Sequence, residues 1–115
     1  MEKLILIVED DDTVRDLLLE VFNDSSKYKA TSAENGARAL ELVKAVTFNL
    51  VTLDIDMPEM NGNQFLEGLN EVAPSTPVLV ISANLDKLKS TTQVRAKVAK
   101  PFDIEQILVL ADKYA

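Results

Sequence analysis

Apolar runs alternate with amphipathic stretches five times along this chain. Leu4 to Val8 is an unbroken Leu, Ile and Val run, the pattern of a strand buried on both faces. It stops at Glu9-Asp10-Asp11-Asp12. Val14, Leu17, Leu18, Val21 and Phe22 then recur at helical spacing, with Asp12 as the expected N-cap. Tyr28 to Ser32 reads as a weaker second strand, and Asn35-Gly36 as a turn. Ala39, Leu40, Val43 and Val46 mark a second helix, and Asn49 to Leu53 a third strand that ends at Asp54. A loop with Pro58 and Gly62 leads to a third helix carried by Phe65, Leu69, Val72 and Ala73 and closed by Pro74. Pro77 to Ile81 is the fourth strand, ending at Ser82.

A fourth helix between Leu85 and Arg95 has only Leu85, Leu88 and Val94 to define its face, so it is expected to be short or irregular. Ala96 to Ala99 is a short fifth strand ending at Lys100-Pro101. In the last helix Ile104, Ile107, Leu108 and Ala111 share a face, and Asp103 with Gln106 fits a variant of the capping box. Alternating strands and helices of this kind predict an α/β fold: a parallel sheet with helices on both faces. Ligands of such sheets bind outside the carboxyl ends of the strands.

Those ends are all polar: Glu9-Asp10, Asp54, Ser82 and Lys100. Each alone has a duller reading as a helix cap, a turn former or a surface charge. The coincidence of four strand ends is what points to a site. Two unit charges about 4 Å apart interact at roughly 4 kcal/mol at an effective dielectric near 20, so three clustered carboxylates must protonate, splay or bind a cation.

Composition narrows the guest. The chain has 115 residues, so one domain is expected, and it holds no cysteine and no histidine. Thiolate and imidazole metal ligation and histidine-based nucleophilic catalysis are excluded within it. A hard cation on oxygen remains, and Mg²⁺ is the natural one, Mn²⁺ the alternative. Carboxylate, Mg²⁺, ammonium and hydroxyl are the parts of a phosphoryl-transfer site. Asp54 would be the nucleophile, Lys100 would neutralise phosphoryl oxygens, and Ser82 would donate a hydrogen bond. The net charge of −7 and scattered Lys and Arg argue against direct nucleic-acid binding. The longest apolar run is too short to span a membrane, so a cytoplasmic location is expected.

The residues Ile7-Val8-Glu9-Asp10, the stretch Leu53 to Gly62 (Leu-Asp-Ile-Asp-Met-Pro-Glu-Met-Asn-Gly), Val80-Ile81-Ser82-Ala83 and Lys100-Pro101-Phe102 resemble the receiver domains of two-component response regulators. The likeness runs from Lys3 to Tyr114, and implies a receiver domain over residues 1–115, with no output domain expected within them. It implies a flavodoxin-like sheet in the order 2-1-3-4-5. It also implies that Asp54 accepts a phosphoryl group from the phosphohistidine of a histidine kinase or phosphotransfer domain. By the same resemblance Asp10 and Asp54 ligate Mg²⁺ directly, Asp56 through its backbone carbonyl and Glu9 through water. Ser82 is then the switch hydroxyl, and Lys100 pairs with the phosphate and precedes a cis proline bond. A downstream protein partner is expected on the face formed by helix four, strand five and helix five. Such a domain is not a conventional enzyme, since it catalyses only its own phosphorylation and dephosphorylation.

The chain departs from the family in two places. Lys97 stands where receivers carry Tyr or Phe, three residues before the lysine. The stretch from Ser82 to Lys100 is shorter than usual and lacks the customary Gly-Ala before strand five. By the same resemblance, Asp56 and Asn84 occupy positions that tune phosphoryl lifetime in the family. The shortened stretch motivates a second reading, a pseudo-receiver that binds protein without taking phosphate. Asp54-Ile55-Asp56 also resembles the nucleophile motif of haloacid-dehalogenase-type phosphatases, but those chains are longer and carry it on their first strand.

Overall fold

The computed structural model describes residues 2–57, 60–89 and 91–115. Five strands, β1 (Lys3–Val8), β2 (Tyr28–Ala33), β3 (Leu50–Leu53), β4 (Val78–Ser82) and β5 (Val94–Ala99), form one all-parallel sheet in the order β2-β1-β3-β4-β5. The helices are α1 (Asp12–Asn23), α2 (Gly36–Ala45), α3 (Gly62–Val72) and α4 (Ile104–Tyr114). This is the expected fold class and strand order.

Strand alternation builds two cores. Leu6, Val8, Val51, Leu53, Val78 and Val80 face α2 and α3 with Phe65, Leu66 and Leu69. Ile5, Ile7, Leu50, Leu79, Ile81 and Val98 face α1 and α4 with Leu18, Phe22, Ile107 and Ala111. The middle strands are therefore buried on both faces, which is why their sequences are continuous apolar runs.

Several local expectations shift. Asp11, not Asp12, caps α1, accepting from the Val14 N–H at 3.0 Å, and Asp12 pairs with Arg15 in the first turn. Asn35 is the N-cap of α2 rather than a turn residue, and Val46 is its C-cap and partly exposed. Leu17 is 38% exposed although it sits on the periodic stripe of α1. The capping box falls at Asn61 and Gln64 of α3, whereas Asp103 caps α4 through Glu105 and not through Gln106.

The fourth helix, expected to be short or irregular, is reduced to one turn. Among the described residues between Leu85 and Arg95 there is a single 3₁₀ turn, Leu85–Lys87, and β5 starts two residues earlier than expected, at Val94. Ser90, within that predicted helix, and Pro58-Glu59, within the loop before α3, lie outside the described residues. Three apolar side chains are too few to bury a helical face. Leu85, Leu88 and Val94 instead pack individually against the α2/α3 core. The stretch is fastened by Asn63 of α3, whose side chain donates to the Lys87 carbonyl and accepts from the Lys89 N–H, both at 2.8 Å.

Candidate functional site

The carboxyl ends of β1, β3, β4 and β5 lie side by side because the parallel register continues into the residues beyond them. Glu9 N–H donates to Ala33, Asp54 N–H to Val8 and Lys100 N–H to Ser82, all at 3.0 to 3.1 Å. The backbone thus fixes where each polar side chain starts.

Glu9, Asp10 and Asp54 each offer a carboxylate oxygen within 4.8 Å of the others. Glu9 and Asp54 are buried, at 2% and 5% exposure, and Asp10 is exposed. The Lys100 ammonium reaches in from β5, 2.6 Å from Glu9 Oε1 and 3.4 Å from Asp54 Oδ2. Arg15 holds the β1 end from the first turn of α1, donating to the carbonyls of Glu9 and Asp10. Sequence reasoning missed Arg15, since a cation in the first turn of a helix carries no signal of what it reaches.

Burial is the first cause that pushes the Glu9 carboxyl up from 4.5 to about 7, and the charge of Asp54 adds to it. The Lys100 hydrogen bond opposes both without cancelling them. Burial alone would lower the Lys100 ammonium, but its bonds to Glu9 and Asp54 outweigh that and leave it raised. One ammonium therefore does not neutralise this pocket. The surplus negative charge and the all-oxygen donor set fit a hard divalent cation held by Glu9, Asp10 and Asp54.

Ser82 is fully buried and its Oγ accepts from the Asn84 N–H at 3.1 Å. The Asn84 side chain donates to Asp56 Oδ2 at 2.9 Å, and Lys87 Nζ lies 3.7 Å from the same oxygen. The Asp56 carboxylate thus leans toward the β4–β5 connection, while its N–H donates to Asp54 Oδ1 at 3.3 Å. Lys87 is a second residue the sequence did not single out. Lys97 is exposed on β5 and, among the described residues, makes no ion pair with this cluster.

The loop after β3 is held by Gly62, whose N–H donates to the Ile55 carbonyl at 2.9 Å. A Cβ there would lie 2.7 Å from Ile55 Cα and 2.8 Å from the Asp54 carbonyl oxygen. Glycine is required for α3 to start this close to the Asp54 backbone. Beside the carboxylates, Val14, Leu17, Pro101 and Phe102, with Thr13 and Lys100, line an apolar groove of about 450 Å³. That groove explains the exposure of Leu17.

The chain matches a model of the response regulator receiver domain over residues 5–112. It is 36% identical over 118 residues to sporulation initiation phosphotransferase F of Bacillus subtilis, a match covering 99% of this chain and 94% of that relative. It is 29% identical over 117 residues to the chemotaxis protein CheY of Thermotoga maritima, covering 98% of each. Among solved structures, the response regulator protein TrrA of Thermotoga maritima, in complex with Mg²⁺ and BeF, superposes with a TM-score of 0.87 at 26% identity, over 98% of this chain and 99% of that one.

Proposed function

Since this chain belongs to the response regulator receiver domain family, we propose that its Asp54 carboxylate accepts a phosphoryl group from a phosphohistidine on a kinase or phosphotransfer protein. The observation that carries this reading is the setting of Asp54, whose carboxylate shares a pocket with those of Glu9 and Asp10 and lies 3.4 Å from the ammonium of Lys100. In the transfer an Asp54 oxygen forms a bond to phosphorus as the phosphorus–nitrogen bond breaks, and the imidazole leaves with that electron pair. Lys100 shifts its charge from Glu9 toward the new phosphoryl oxygens, which are stronger acceptors than a carboxylate. The Ser82 hydroxyl reorients to donate to one of them.

Glu9, Asp10 and Asp54, with the Asp56 carbonyl, would hold Mg²⁺ or Mn²⁺, which supplies charge neutralisation between the carboxylates and the incoming phosphoryl group. The chain has no histidine, so the donor imidazole arrives on the partner. The apolar groove of Val14, Leu17, Pro101 and Phe102 is also lined by Lys100 and suits a donor helix docking there. Turnover is confined to the chain's own phosphorylation and dephosphorylation. Among the described residues no helix is long and apolar enough to cross a membrane, and a cytoplasmic donor gives the chain a cytoplasmic place of action.

Incubation with Mg²⁺ and acetyl phosphate tests the proposal by intact mass. The chain gains one phosphoryl group, and Asp54→Asn gains none. The reduction of the predicted fourth helix to one 3₁₀ turn favours a second reading, a protein-binding receiver without phosphorylation. That reading stands if neither chain gains mass.

A further inference from the structure

Asp56 is a fourth carboxylate beside the acceptor, yet it stands outside the cluster that Glu9, Asp10 and Asp54 form. Its backbone belongs to the site, since its N–H donates to Asp54 Oδ1 at 3.3 Å. Its side chain is turned to the β4–β5 connection, with Oδ2 2.9 Å from the Asn84 amide nitrogen and 3.7 Å from Lys87 Nζ. Two donors thus oppose the attraction that a divalent ion at the other three carboxylates would exert on it.

The local sequence explains both donors. Leu85 and Leu88 are too few to bury a helical face, and the chain makes one 3₁₀ turn, Leu85–Lys87, with the Lys87 N–H on the Asn84 carbonyl at 3.0 Å. Side chains three residues apart eclipse in such a turn. Asn84 and Lys87 therefore share one side of it and reach the same Asp56 oxygen. Asn63 of α3 holds the turn in place, donating to the Lys87 carbonyl at 2.8 Å. Among the described residues, Asp56 is the one ion-pair partner of Lys87, which pairs with none of Glu9, Asp10 and Asp54.

We propose that Lys87 is a positioning residue: with Asn84 it holds the Asp56 carboxylate off the acceptor site, and so slows loss of the phosphoryl group and weakens the hold on the divalent ion. The proposal rests on the phosphoacceptor reading and deepens it, from whether Asp54 takes phosphate to how long it keeps it. In hydrolysis a water oxygen bonds to phosphorus as the bond from phosphorus to Asp54 breaks, and the Asp54 carboxylate leaves with that electron pair. The water gives up a proton. A released Asp56 carboxylate, two residues from Asp54, takes that proton as general base, and a tethered one does not.

The test follows decay of the phosphorylated chain by intact mass, after acetyl phosphate is removed, and Mg²⁺ affinity by thermal melts of the unphosphorylated chain. An exposed ion pair biases a side chain by a few-fold, so Lys87→Met is expected to speed decay about threefold and to tighten Mg²⁺ binding about threefold. Circular dichroism stays unchanged, and Lys87→Arg restores both wild-type values. On an Asp56→Asn background Lys87→Met changes neither quantity. Unchanged or slower decay in Lys87→Met overturns the proposal. The same acceleration on the Asp56→Asn background also overturns it, since Lys87 would then act on the phosphoryl group directly. The Mg²⁺ measurement needs no phosphate: a wild-type chain that takes none sinks the phosphoacceptor reading, while Mg²⁺ affinities of the same variants still decide whether Lys87 holds Asp56 off the site.

Discussion

The Lys100 ammonium donates to Glu9 Oε1 at 2.6 Å, the shorter of its two carboxylate contacts. Even with that partner the Glu9 carboxyl sits at about 7, against an ordinary 4.5, because burial and the neighbouring Asp54 charge outweigh the ammonium. The folded state therefore binds a proton at Glu9 that the unfolded chain has already released. Stability from this group is fully present below pH 4.5 and declines as pH rises through about 7. With divalent ions chelated, urea denaturation is expected to show a loss on the order of 2 kcal/mol across that window. Glu9→Gln removes most of the slope. A wild-type profile as flat as that of the Gln variant refutes the assignment.

Adding the cation changes the sign of the balance. Glu9, Asp10 and Asp54 repel one another when ionised, and a divalent ion binds that ionised triad best. Mg²⁺ at a hundred times its Kd is expected to add about 2.7 kcal/mol to stability. The gain is larger at pH 8 than at pH 5, where protons compete for Glu9 (roughly the interval over which its carboxyl ionises). Asp10→Asn leaves the fold unchanged, since Asp10 is exposed, and lowers the Mg²⁺ gain. Thermal melts with and without Mg²⁺ at the two pH values decide it, and an equal gain at both counts against it.

Gly62 and Gly68 sit in the same helix and make opposite predictions. A Cβ at Gly62 meets backbone, 2.7 Å from Ile55 Cα and 2.8 Å from the Asp54 carbonyl oxygen, and the loop that carries Asp54 must move. Gly62→Ala is expected to cost about 1–3 kcal/mol and to slow phosphorylation. A Cβ at Gly68 meets the Leu40 methyl carbons at 2.8 and 3.0 Å, the far end of a side chain that can rotate. Alanine is also the better helix former by about 1 kcal/mol. Gly68→Ala is therefore expected to be close to neutral and fully active. Denaturant midpoints with acetyl phosphate labelling rates give both readouts.

The order and type of the elements were legible because the three central strands, β1, β3 and β4, are buried on both faces. Leu4 to Val8 and Pro77 to Ile81 have no polar position to disguise them. The site was legible for a related reason: every polar residue that ends an apolar run sits at the carboxyl edge of a parallel sheet. Cap positions were off by one residue at Asp11 because four acidic residues in a row offer several equivalent oxygens. Asn61 and Gln64 make a capping box that Ser/Thr-based expectation overlooks. The 85–95 stretch was the least legible. Its shape comes from a tertiary contact, the Asn63 side chain, which leaves no periodicity in the segment it holds.

That contact sets the last expectation. The segment after β4 is tied to the site through Ser82 and Asn84, and to α3 through Asn63. Phosphorylation of Asp54 draws the Ser82 hydroxyl toward the phosphoryl oxygens, and the Asn84 N–H that donates to that hydroxyl must follow or lose its acceptor. The pull is resisted by two Asn63 bonds, each worth about 1 kcal/mol. Hydrogen exchange is therefore expected to change across residues 83–99 when Mg²⁺ and beryllofluoride are added, with little change in α1. Asn63→Ala removes both bonds, so Lys89 exchanges faster before any phosphoryl mimic is added, and the further change on adding it shrinks. Asn63→Asp keeps the acceptor for Lys89 but loses the donor to Lys87, and is expected to fall between the two. Identical exchange across 83–99 with and without the mimic would show that the segment does not respond to the site.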